Sequence, residues 1–167
     1  MEEIPNVEMR ITDENDSVNC ISLVEKPAIE SNFVHLSENS IEMKIIDEEK
    51  RIVVGAVLIP NKKIYRDVNG KQFNMFFKAD TIEQLAERYM EKHNISASTL
   101  EHDESATGVF TKEIWIVEDE KKDKQNLYGL NHPVGTWMEV KKINNDDVWK
   151  GVKDGTYKGY SIEAGLK

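Results

Sequence analysis

A single cysteine, Cys20, stands in a chain of 167 residues, so no internal disulfide can form. No apolar run approaches the roughly 18 residues of a membrane-spanning helix, and "MEEIPNVEMR" is acidic where a secretion signal would be basic and then apolar. Basic residues are also short: 22 Lys and Arg face 31 Asp and Glu, giving a net charge of -9, and no stretch gathers cations against a phosphate backbone. Nucleic acid and membrane are therefore excluded as expected partners. With 39% hydrophobic and 32% charged residues, the composition is that of a soluble globular chain. The expectation is one domain in a reducing cytoplasm.

Two kinds of chemistry lack their signatures. His35, His93, His102 and His132 share no metal-ligand spacing, and no Cys pair exists, so no metal and no cofactor is expected. The nine glycines are scattered, and none forms a glycine-rich loop ahead of a helix where a phosphate could sit.

What is present divides at about residue 50. Residues 1–50 are polar and acidic around one apolar island, "CISLVEKPAIESNFV", whose strand at about 20–25 is expected to dock on a core built by residues 51–167. That core opens with "RIVVGAVLIP", an apolar β-branched run closed by Pro60. A hairpin is predicted over 64–78 around Asn69-Gly70. The next segment predicts a helix capped by Asp80, with Ile82, Leu85, Ala86, Tyr89 and Met90 on its core face. Strands follow at "TLEHD", "GVFTKEIWIVED" and "TWMEVKKI", then a short helix capped by Asn145 and stopped at Gly155, then a last strand at "TYKGYSIEAG". The fold class expected is α+β, mainly antiparallel, as a closed or partly closed β-barrel flanked by helices.

Catalysis has few candidates. A serine hydroxyl needs a base to attack a carbonyl, and a neighbouring imidazole is the common remedy. His102 in "LEHD" and Ser161 in "KGYSIE" could meet across a sheet, although a lone serine and a lone histidine are more often structural. A metal-assisted hydrolase using His102, Asp103 and His132 is the weaker reading.

The ordered series "VVGAVLIPNKKIYR", "LEHD", "KEIWIVEDEKKDK", "YGLNHPVGTWMEVKKINNDDVWKGVKDG" and "KGYSIEAG" resembles the XkdF-like serine proteases of tailed phages over about two thirds of the chain. The resemblance implies a herpesvirus-protease-like barrel and a prohead maturation protease, which cleaves capsid and scaffold proteins inside the new shell in the host cytoplasm. It places the general base on His102 and the nucleophile on Ser161, and it implies a homodimer by analogy with herpesvirus-type relatives. For the third member, Glu113, Glu163 and Asp103 are open. Glu163 is preferred because positions i and i+2 of a strand share a face with Ser161, whereas Asp103 would point away from His102 in a regular strand.

"CISLVEKPAIE" is similar to the strand that follows the serine in the better-known prohead proteases, implying a circularly permuted relative in which the family acid falls on or near Cys20. A Ser–His dyad is the alternative at the site. At the level of function, the alternative is a catalytically silent protease-fold module serving as a capsid-assembly or scaffold protein. Lys167 is expected to be a processing point or a boundary within a longer chain.

Overall fold

A computed structural model describes residues 3–29, 34–36 and 50–165; Lys167, the expected processing point, lies outside them. The strands are β1 (Asn6–Met9), β2 (Ser17–Val24), β3 (Val34–Leu36), β4 (Ile52–Leu58), β5 (Ile64–Val68) and β6 (Lys71–Phe77). After helix α1 (Ala79–Glu91) come β7 (Ser98–Leu100), β8 (Glu104–Ser105), β9 (Val109–Ile116) and β10 (Trp137–Ile143), then α2 (Asp146–Lys153) and β11 (Gly159–Gly165). No described helix is long and apolar enough to cross a membrane.

The class is α+β and most strand pairs are antiparallel, with β1–β6 and β2–β7 parallel. The strands form three sheets, in the orders β1-β6-β5, β3-β4-β10-β9 and β11-β2-β7-β8. This corrects the expected barrel: no closed barrel forms among the described residues. Sheet edges close only by long-range pairing, which the local apolar patterns do not encode.

The hairpin turns at Asn69 and Gly70, both at positive φ as such a two-residue turn requires. Helix α1 departs from expectation at two points. Its chain enters straight from β6, so Lys78 is the N-cap and makes no side-chain cap bond, while the Asp80 carboxylate accepts from the Thr81 N–H one residue along. Ile82, Leu85, Ala86 and Tyr89 are buried, but Met90 is 43% exposed. In α2, Asn145 Oδ1 accepts from the N–H groups of Asp147 and Val148, and Gly155 at φ 85° follows the end.

The core runs between the three sheets and α1. β4 is buried along its whole length, as its apolar run implies. Tyr89 packs edge-on against Trp137, with ring centroids 5.4 Å apart. The amino-terminal strand β2 is part of this interior: Val18, Ile21 and Leu23 are fully buried.

Candidate active site

The candidate residues converge on the β11-β2-β7-β8 sheet, whose strand β2 lies between the other two that matter. It pairs antiparallel with β11 and parallel with β7. Strand alternation sends Ile21 and Leu23 of β2, opposite Ile162 and Tyr160 of β11, into the core. The other face carries small polar side chains in one row. Ser161 stands opposite Ser22, and Ser22 beside Thr99 of β7. Cys20 Sγ lies 4.0 Å from Thr99 Oγ1 on the same face. Ser161 is half-buried and Ser22 is fully buried.

Tyr160 fixes the strand that carries Ser161. Its ring is buried and its hydroxyl donates toward two carbonyls, Val53 O at 3.1 Å and Glu139 O at 3.3 Å. These bonds tie β11 to β4 and β10. Burial, aided by the nearby Glu139 charge, pushes the Tyr160 phenol well above its ordinary pKa, so the hydroxyl stays a donor.

His102 does not lie in a strand, contrary to the reading of "TLEHD". β7 ends at Leu100, and Glu101 and His102 both turn at positive φ, 51° and 60°. The short strand β8 then returns antiparallel beside β7. Two backbone–backbone bonds shape the turn: Glu101 N–H donates to Leu23 O, and Asp103 N–H donates to Leu100 O, each at 3.0 Å. A third joins it to the row of small side chains, because His102 N–H donates to Ser22 Oγ at 2.9 Å. His102 is exposed and belongs to a type enriched among non-glycine residues at positive φ. Because the segment is a turn, the strand-alternation argument against Asp103 has no basis here.

The other acids separate. Glu163 occupies the β11 register position opposite Cys20, just before an irregularity in the pairing. Glu113 lies in β9, in a different sheet, and pairs with Lys124. His132 is held in the loop ahead of β10, where its N–H donates to Gln125 Oε1 at 2.8 Å; burial pulls its imidazole below the ordinary value.

Ser161 also lines one small space on the core side of β11. Residues including Ile29, Leu58, Ile64, Arg66 and Ile162 surround this space of about 10 Å³, room for one water molecule. A larger groove of about 560 Å³ lies elsewhere, lined by Lys50, Lys112, Lys124 and Lys142 with Phe110 and Tyr128. None of its lining residues belongs to the Ser161 sheet.

The sequence reading missed a buried polar cluster on the core side of β7. Lys141 Nζ donates to Ser98 Oγ at 2.9 Å and to Thr111 Oγ1 at 3.0 Å, and lies 3.2 Å from Glu139 Oε1. Thr111 also bonds Glu139 and the Tyr89 hydroxyl. Tyr89 is thus more than an apolar core residue. The Ser98–Lys141 distance would suit a nucleophile and base, but Lys141 is fully enclosed and Ser98 is 2% exposed, which shuts out substrate. The available signal was the alternation Trp137, Glu139, Lys141, Ile143, which puts both charges on the face of a core tryptophan.

A family model described as "Putative phage serine protease XkdF" matches residues 40–167, and the chain belongs to this family. The match contains β7, the His102 turn and β11 but not β2, which begins at Ser17. None of the curated proteins and none of the solved structures matches the chain.

Proposed function

We propose that this protein is a serine endopeptidase of phage prohead maturation, cleaving capsid and scaffold proteins within the prohead in the bacterial cytoplasm. One observation carries the reading: Ser161 stands opposite Ser22, and the Ser22 hydroxyl takes the backbone N–H of His102, so nucleophile and base flank one strand. Membership of the phage serine protease family supports the same chemistry.

In the reaction, Ser161 Oγ attacks the scissile carbonyl while His102 takes the hydroxyl proton. His102 then delivers it to the leaving amine, and water, activated by the same imidazole, releases the acyl group. Backbone N–H groups stabilise the oxyanion. Glu163 is the proposed third member. In a permuted relative the acid falls at Cys20, and Glu163 is its cross-strand neighbour, where directly opposed Cβ atoms are about 4.5–5.5 Å apart. The acid would thus have moved one strand over while keeping its face. The β2–β11 pairing supports the permutation, since the "CISLV" strand lies beside the serine strand. We also propose residues 1–50 as a segment completing the 51–167 domain through β2, and a homodimer as the working form.

The partial burial of Ser161, beside a space with room for one water molecule, favours a second reading, a silent protease-fold module in capsid assembly. Co-production with the matching capsid and scaffold proteins separates the two. Wild type is expected to process them and Ser161→Ala to leave them intact; equal processing would remove Ser161 from its role. A lack of processing by either would favour the silent module.

A further inference from the structure

We propose that Ser22 is a positioning residue: its buried hydroxyl sets the place of His102 relative to Ser161. The inference rests on the Ser161–His102 reading above. Ser22 has no solvent exposure, so it cannot itself meet a substrate, and it lies outside the residues matched by the family model. It is tied to both partners, through the 2.9 Å bond from His102 N–H and through direct register with Ser161.

The chemistry of a hydroxyl suits this place. It has two acceptor lone pairs and one proton to donate. One lone pair takes the His102 N–H, which leaves the O–H for the polar face shared with Ser161. Other bonds of the turn hold its flanks, Glu101 N–H to Leu23 O, Asp103 N–H to Leu100 O and Glu25 N–H to Glu101 Oε1, whereas the bond to Ser22 is made by His102 itself. Two successive residues at positive φ form a conformation that surrounding contacts must enforce. Without the hydroxyl, a backbone N–H loses its acceptor beside a buried side chain, and the turn relaxes to satisfy it. The imidazole then moves with the turn, and a displacement near 1 Å at a catalytic group can lower the rate by about 100-fold.

The test uses the full chain and a fluorophosphonate probe. Labelling forms an Ser161 Oγ–P bond, expels fluoride and sends the hydroxyl proton to His102, so its rate reports the pair without a natural substrate. Labelled peptide is located by mass spectrometry, and the His102 imidazole is followed by NMR from pH 5 to 9. Wild type is expected to label at Ser161, and Ser161→Ala to lose this adduct. Ser22→Ala should label about 100-fold more slowly with an altered His102 titration, and Ser22→Thr, which keeps the hydroxyl, should regain most of the rate. Ser22→Cys, close in shape but a weak acceptor, should also be slow and decides the matter if Ser22→Ala does not fold. Absence of the Ser161 adduct in wild type would overturn the peptidase reading and this inference with it. Wild-type labelling with equal rates in the folded Ala or Cys variant would overturn the positioning role alone. So would a slow variant whose His102 titration is unchanged and which Thr does not rescue.

Discussion

Lys141 Nζ lies 3.2 Å from Glu139 Oε1, and neither side chain has any solvent exposure. The pair sits in β10 two residues apart, facing α1 through Tyr89 and β7 through Ser98. Burying such groups costs more than their attraction returns unless further hydrogen bonds complete the site; here the Ser98, Thr111 and Tyr89 hydroxyls supply part of that set, while Glu139 Oε2 is buried with no partner among the described residues. Lys141→Ala removes the cation and leaves Glu139 enclosed. A loss of about 3–5 kcal/mol is expected in urea unfolding. An unchanged midpoint would mean that the pair contributes nothing to stability.

The same enclosure has a sign in pH. Burial pushes the Glu139 carboxyl up, partly offset by Lys141 and by the Thr111 bond. In the unfolded chain the group releases its proton at lower pH than in the native state. Its contribution to stability is therefore complete below the unfolded value and declines as pH rises through the folded one. Glu139→Gln abolishes this titration. Its stability relative to wild type should rise with pH above about 4.5 and then level off. A difference that stays flat between pH 4 and 8 would contradict the upward shift.

Gly135 and Gly70 offer a matched comparison. Both adopt positive φ, 93° and 83°, which penalises any side chain. A Cβ at Gly135 would also come within 2.7 Å of Ala79 Cβ, whereas one at Gly70 would meet nothing within 4 Å. Gly135→Ala should thus cost about 1–3 kcal/mol more than Gly70→Ala. Thermal unfolding of the two variants side by side measures the gap.

Tyr160 links stability to the site. Tyr160→Phe removes the hydroxyl that reaches Val53 O and Glu139 O but keeps the ring. A loss of about 1 kcal/mol is expected. Because the residue precedes Ser161, slower fluorophosphonate labelling should accompany it. A stability loss with full labelling would show that the serine strand keeps its place without this tie.

Local chemistry was legible where a few neighbouring residues decide the backbone. Asn69-Gly70 at its turn and Asn145 at its cap are such cases. Asp80 misled because β6 runs directly into α1, giving the cap position to Lys78, extended at φ -83° and ψ 160°. "LEHD" reads as a strand since Leu100 ends one, yet the turn at Glu101 and His102 is held by acceptors on β2, about eighty residues earlier by the Ser22–His102 separation. Glu139 and Lys141 share a strand face with Trp137 and Ile143 in sequence, but that they are fully enclosed depends on the layers packed around β10. At the candidate site, the residue types in "LEHD" and "KGYSIE" offered two candidates, but the strand that lies between them comes from the far end of the sequence.

That strand also places a condition on synthesis. β2 is made early and its neighbour β11 late, so their ladder waits until residues 159–165 have left the ribosome. Contacts of such separation carry the loop-closure entropy of nearly the whole chain before they return any stability. A nascent chain from which β11 has not yet emerged therefore has no ordered serine row, and any peptidase activity there would wait for β11 to pair with β2.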